Sequence, residues 1–96
     1  MYLKMHQQGN NVVLACCDKE LLGKTIADEE REVVLNEYFY KGKIISEKTL
    51  AKKIAEADSS NLFGNRAIGV AIKQGFISEK EVIKISGVKH AIIFRV

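Results

Sequence analysis

Proline is absent from the 96 residues, so every sharp turn falls to glycine or asparagine. Cysteine is nearly absent: the two present, Cys16 and Cys17, are neighbours. A bridge between neighbours would close a strained ring and crosslink nothing distant, which excludes a disulfide framework. Both read as free thiols in a reducing interior. No apolar run approaches the roughly 18 residues that a membrane helix needs. The opening stretch MYLKMHQQGN alternates like a strand and has no secretory h-region, so the expectation is a cytoplasmic protein without a membrane partner. CxxC and HxxxH spacings are missing, as are internal repeats, low-complexity tracts and linkers.

What is present describes one domain over residues 1–96, because a second core would leave each half too small. The chain is 47% apolar and 28% charged, an ordinary globular composition whose core closes without staples. Net charge is only +3, but it is distributed in blocks. Asp18 to Tyr40 holds seven acids against three bases. Lys41 to Lys53 holds five bases and one acid, and Arg66 to Val96 six bases and two acids. Such blocks are either solvated faces or a basic surface for phosphates.

Tyr2 to Gln7 and Val12 to Cys16 read as strands joined by a hairpin in which Gly9 and Asn10 take positive φ. Asp18 suits the cap of a short helix ending at Gly23. Glu32 to Glu37, which carries Val33, Val34 and Leu35 and is extended by Tyr38-Phe39-Tyr40, reads as a strand that turns at Lys41-Gly42-Lys43 toward a partner strand starting at Ile44-Ile45. Ser46 caps a helix whose Leu50, Ile54 and Ala57 form one buried stripe, with Lys48, Lys52 and Lys53 off it. Asp58 to Asn61 reads as a break, and Phe63 to Ala71 as a second helix. Gly64 and Gly69 fall inside that helix, and each invites close packing or backbone approach to a ligand. Ser78 to Glu81 is a capping box opening one brief turn. Val82 to Ile85 and His90 to Val96 complete the strands.

Few residues carry a recognisable chemistry. Gly23-Lys24-Thr25 resembles the end of a phosphate loop, but the position that needs the first glycine holds Asp18, an anion where the ligand would be an anion. On a strand Cys16 and Cys17 face opposite sides and cannot share a metal without distortion; His6 or His90 as a base beside either thiol stays open. Asn61 and Arg66 flank Gly64 near a helix start, where free N–H groups and the dipole would welcome an anion. Tyr38, Phe39 and Tyr40 beside Lys41 and Lys43 could stack bases over a basic rim, although Phe39 suits the core. His90 opens the last strand after a turn, as a hydrogen-bonding strand end or as part of a site.

Four stretches taken together are distinctive: CDKELLGK (Cys17 to Lys24), FYKG (Phe39 to Gly42), NLFGNRA (Asn61 to Ala67) and GVKHA (Gly87 to Ala91). In this order and spacing the chain resembles the archaeal family called domain of unknown function 424. That resemblance implies a single-domain archaeal cytosolic protein, and the family is similar to proteins labelled RNA-binding. The motif positions carried over are Asp18, Gly23, Lys24, Tyr40, Gly42, Asn61, Gly64, Gly87 and His90. The family pattern commonly has a proline where this chain has Lys89, a departure that loosens the turn before His90.

The expected fold is therefore α+β: a two-layer sandwich with an antiparallel or mixed sheet of about four to six strands, and two main helices plus one short helix on one face. Three functions follow. The first is a small RNA-binding module linked to translation, contacting phosphate through Lys24, Lys41, Lys43, Arg66, Lys89 and His90, with Tyr40 stacking. The second is a small-ligand binder or enzyme built around Asn61, Arg66 and His90. The third is a protein–protein adaptor or homodimer, which requires an exposed apolar patch or sheet edge. No catalytic residue, cofactor or metal is implied by any motif.

Overall fold

The computed structural model describes residues 1–95; Val96, which the sequence reading puts at the end of the last strand, lies outside the described residues. Strands β1 (Tyr2–Gln8) and β2 (Asn11–Cys17) pair antiparallel through a two-residue turn. Positive φ falls on Gly9 (60°) and not on Asn10, the glycine-first arrangement of a type II′ hairpin. A 3-10 turn (Lys19–Leu21) leads to a separate ribbon of β3 (Thr25–Ala27) and β4 (Glu32–Val34). Then follow helix α1 (Glu37–Tyr40), strand β5 (Lys43–Ile44), helix α2 (Glu47–Glu56), strand β6 (Ser59–Phe63), helix α3 (Asn65–Lys73), a 3-10 turn (Glu79–Glu81), and strands β7 (Ile83–Ile85) and β8 (Val88–Phe94).

Six strands form one mixed sheet in the order β5-β1-β2-β6-β8-β7. Among the described residues only β2 and β6 run parallel, and the crossover between them carries α2. The fold is thus the expected α+β sandwich, with α2 and α3 as the two main helices. Leu3, Leu14, Cys16, Leu62 and Ala91 face these helices and meet Leu50, Ile54, Ala57, Ala67, Ile68 and Ala71. Leu50 is fully buried, so cutting it to alanine would cost about 2–5 kcal/mol. Ser46 starts α2 by accepting the Thr49 N–H, as its position predicts.

The opposite face has its own smaller core: Ala15, Cys17, Leu21, Ile26, Leu35, Tyr40, Phe63 and Ile85. The β3–β4 ribbon and α1 cover it. Here the sequence expectations need correction. Tyr38-Phe39-Tyr40 is a helical turn rather than a strand, because the Asn36 side chain accepts the Phe39 N–H and caps it. Ser59 to Phe63, expected as a break running into a helix, is a central strand of the sheet, and α3 begins only at Asn65.

Candidate functional site

The place where β2 and β6 both end organises the molecule. Asp18 follows β2, and its N–H donates to the Phe63 carbonyl at 3.0 Å. Its carboxylate does not cap the turn that follows it. It reaches across to α3 instead, accepting the Arg66 N–H on one oxygen and the Ala67 N–H on the other, both at 2.9 Å. Asp18 is 5% exposed, and two charge-assisted bonds offset the burial of its charge. Gly64 makes this possible. Its φ is 113°, and an added Cβ would overlap the Asp18 carboxylate. The anion-welcoming helix start expected near Asn61 and Arg66 is therefore already filled by the chain's own anion.

With its backbone so engaged, Arg66 sends its side chain along the helix layer to Glu47 of α2, at 3.0 Å. Between α2 and α3 opens a groove of about 620 Å³, rimmed by Lys48, Arg66 and Lys73. Asn65 and Gln74 add amides, and Glu47 is the one acid among the lining residues. A smaller hollow of about 250 Å³ on the far side of α3 is lined by Lys84 and Lys89 together with Glu79. Lys43 pairs with Leu3 at the sheet edge, which puts it on this same helical side. Lys89 is tied to the start of α3: its carbonyl accepts the Gly64 N–H at 2.8 Å, and its N–H donates to the Asn65 side chain at 3.3 Å. The turn before His90 is consequently held, not loosened, and it bends through positive φ at Ser86 and Gly87.

The remaining expected site residues lie on the opposite face. Tyr40 is 3% exposed, its ring in the second core and its hydroxyl donating to the Asn61 Oδ1 at 3.0 Å. It cannot stack on a base; the exposed aromatic of that trio is Tyr38, with Lys4 over its ring at 4.7 Å. His90 stacks on Phe63 with ring centroids 3.9 Å apart. Its Nδ1 lies 2.9 Å from the Leu62 carbonyl, which can only accept, so the proton sits on Nδ1 and leaves Nε2 as the acceptor. Burial holds the His90 pKa below the usual imidazole value, against the opposing effect of the Leu62 bond. Lys41 is exposed and paired with Glu37, and Lys24 is exposed between the 3-10 turn and β3.

Asn61 and His90 thus share the face that carries Tyr40, while Arg66 stands on the other side of the sheet. The three do not line one pocket. Cys16 and Cys17 belong to different cores, and burial pushes their thiols up to about 12 and about 11. Both stay protonated at neutral pH and behave as small apolar groups, not nucleophiles. Sequence reasoning passed over Lys48 and Lys73 as site residues. The signal was present as Arg66, Gly69 and Lys73, spaced at i, i+3 and i+7 on the polar side of α3.

A model of the family described as Protein of unknown function (DUF424) matches residues 5–96, and the chain belongs to that family. A solved structure described as an uncharacterized conserved protein from Methanopyrus kandleri is similar to it, with a TM-score of 0.79 and 29% identity over 99% of this chain and 93% of that one. None of the curated proteins compared matches the chain. Among the described residues, no helix is long and apolar enough to cross a membrane.

Proposed function

We propose that this member of the DUF424 family is a small RNA-binding module whose helix-bearing face holds phosphates. One observation carries the reading: the two basic blocks of the sequence meet in space, Lys48 from the first and Arg66 and Lys73 from the second lining one groove. Charge is also segregated across the fold. Helices α2 and α3 carry five cations, Lys48, Lys52, Lys53, Arg66 and Lys73, against Glu47 and Glu56. The tip of the ribbon carries Asp28, Glu29, Glu30 and Glu32 against Arg31. A polyanion approaching this dipolar surface is steered to the helices and away from the ribbon. Lys43 and Lys89 extend the basic side; Lys24, Lys41, Tyr40 and His90 leave the contact set.

Fluorescence anisotropy with labelled tRNA or rRNA fragments tests this. Affinity should fall as salt rises, with a log–log slope of about −2 for three phosphate contacts on a single strand. Lys48→Glu with Lys73→Glu should remove most of the binding, and Lys24→Glu with Lys41→Glu should change it little. Equal losses from both pairs, or salt-insensitive binding, would defeat the reading.

A second reading, self-association, has one observation in its favour. Ile92 and Phe94 are 49% and 72% exposed on the uncovered face of β8. There β7, which pairs only with Val88 to His90, leaves the rest of the strand with an open edge. Sedimentation at increasing protein concentration decides it, since a Phe94-dependent dimer is lost in Phe94→Ser.

A further inference from the structure

The one mid-helix glycine of α3 is not demanded by packing or by its backbone conformation. Gly64 is demanded by its φ and by Asp18, but Gly69 is different. It is exposed within α3, and an added Cβ would meet no heavy atom within 4 Å. A glycine there weakens the helix relative to alanine and gains no packing in return. Its surroundings are chemically specific. Arg66 lies one turn before it and Lys73 one turn after it on the same side of α3, about 10 Å apart along the axis at 1.5 Å per residue. Lys48 and Ala51 face it from α2 across the groove. Glu47 already accepts from Arg66, so the groove keeps an excess of positive charge.

From this placement we infer that Gly69 is a ligand contact: the point at which a sugar–phosphate chain lies against the backbone of α3, with its phosphates between Arg66, Lys73 and Lys48. A side chain at this position would lift the chain off the helix and lengthen all three charged contacts together. The inference rests on the RNA reading for the length of the ligand. The chemistry itself, a phosphodiester or phosphomonoester flanked by ribose, is shared by RNA and by a mononucleotide.

The signature is a variant in which stability and binding move in opposite directions. Gly69→Ala should raise the melting temperature by about 2–8 °C, because helix propensity improves and nothing is displaced. The same variant should weaken binding of a fluorescein-labelled oligouridylate by about tenfold, the sum of a partial weakening at all three lengthened contacts. Gly69→Gln, larger and still a good helix former, should remove binding while the melting temperature stays at or above that of the wild type. If both variants are stabilised and bind as the wild type does, Gly69 is not a contact, although the RNA reading survives. If Gly69→Ala melts earlier than the wild type, the fold needs this glycine and the inference is overturned. Parallel titrations with AMP and inorganic phosphate separate the sources. A wild-type protein that binds AMP but not oligouridylate, with AMP binding lost in Gly69→Gln, keeps the contact and removes the RNA reading. A wild-type protein silent to all three probes overturns both.

Discussion

Replacing Asp18 tests whether a residue 48 positions away closes the start of α3. In Asp18→Ala two backbone donors lose their acceptor, Arg66 N–H and Ala67 N–H, both at 2.9 Å in the wild type. Losing an N-cap acceptor costs about 1 kcal/mol. The Ala67 donor is buried, and leaving it unpaired adds about 1–3 kcal/mol. Removing the buried carboxylate returns part of this by relieving its desolvation. The expected net loss is about 2 kcal/mol, a large fraction of the roughly 5–15 kcal/mol that holds a domain of this size. It corresponds to a fall of about 8–16 °C in melting temperature. Asp18→Asn should fall between wild type and alanine, because its carbonyl can still serve one donor while its amide opposes the other. Urea unfolding gives the free energies, and amide hydrogen exchange at Arg66 and Ala67 localises them. A loss below about 0.5 kcal/mol in Asp18→Ala, with both amides as protected as before, would refute the capping argument.

Two further outcomes follow from the opposite face. His90 has a folded pKa below its ordinary 6.5, mainly through burial. The unfolded chain therefore binds the proton more readily, and stability is complete above about pH 6.5 and declines as pH falls toward the folded value. His90→Phe keeps a ring against Phe63 and removes the titration, so urea midpoints compared at pH 7.5 and 5.5 should drop less in the variant than in the wild type; equal drops would contradict the assignment. Cys16 and Cys17 are both fully buried, with thiols pushed up to about 12 and about 11. A thiol-titrating disulfide reagent at pH 8 should report both groups only after unfolding, and rapid reaction of either in the native protein would contradict its burial.

Elements with complete local signals were legible in the sequence. The β1–β2 hairpin has alternation around a Gly-Asn turn, α2 has a serine cap and an i, i+4, i+7 stripe, and the capping box at Ser78 forms as read. Strand β6 was not legible, because Ser59, Ser60 and Asn61 carry little strand propensity. Its place is decided by pairing with β2 on one side and β8 on the other, and Ser60 is 1% exposed at the centre of the sheet. Helix α1 was misread because aromatic residues favour strands, while the decisive feature was a single capping side chain at Asn36.

The candidate site divides in the same way. The four stretches that carry the family resemblance prove to interlock: Asp18 with Gly64 and Arg66, Tyr40 with Asn61, His90 with Phe63, and Lys89 with Asn65. Asn61 and His90 read in the sequence as candidate site residues and Asp18 as the cap of the turn after it, yet in the fold Asp18, Tyr40, Asn61 and His90 hold distant segments together. Sequence spacing cannot show such partners, since each pair is joined only by folding. The basic groove arises from less distinctive residues, Lys48, Gly69 and Lys73, whose common face depends on α2 and α3 lying side by side.

Backbone amide chemical shifts during titration with RNA at low salt test the central claim most directly. Perturbations should concentrate on α2 and α3, at Lys48, Ala51, Arg66, Gly69 and Lys73, and fade together as salt is added, with the β3–β4 ribbon unmoved. Perturbations centred on the ribbon or on the open face of β8, or a spectrum that RNA leaves unchanged, would contradict it.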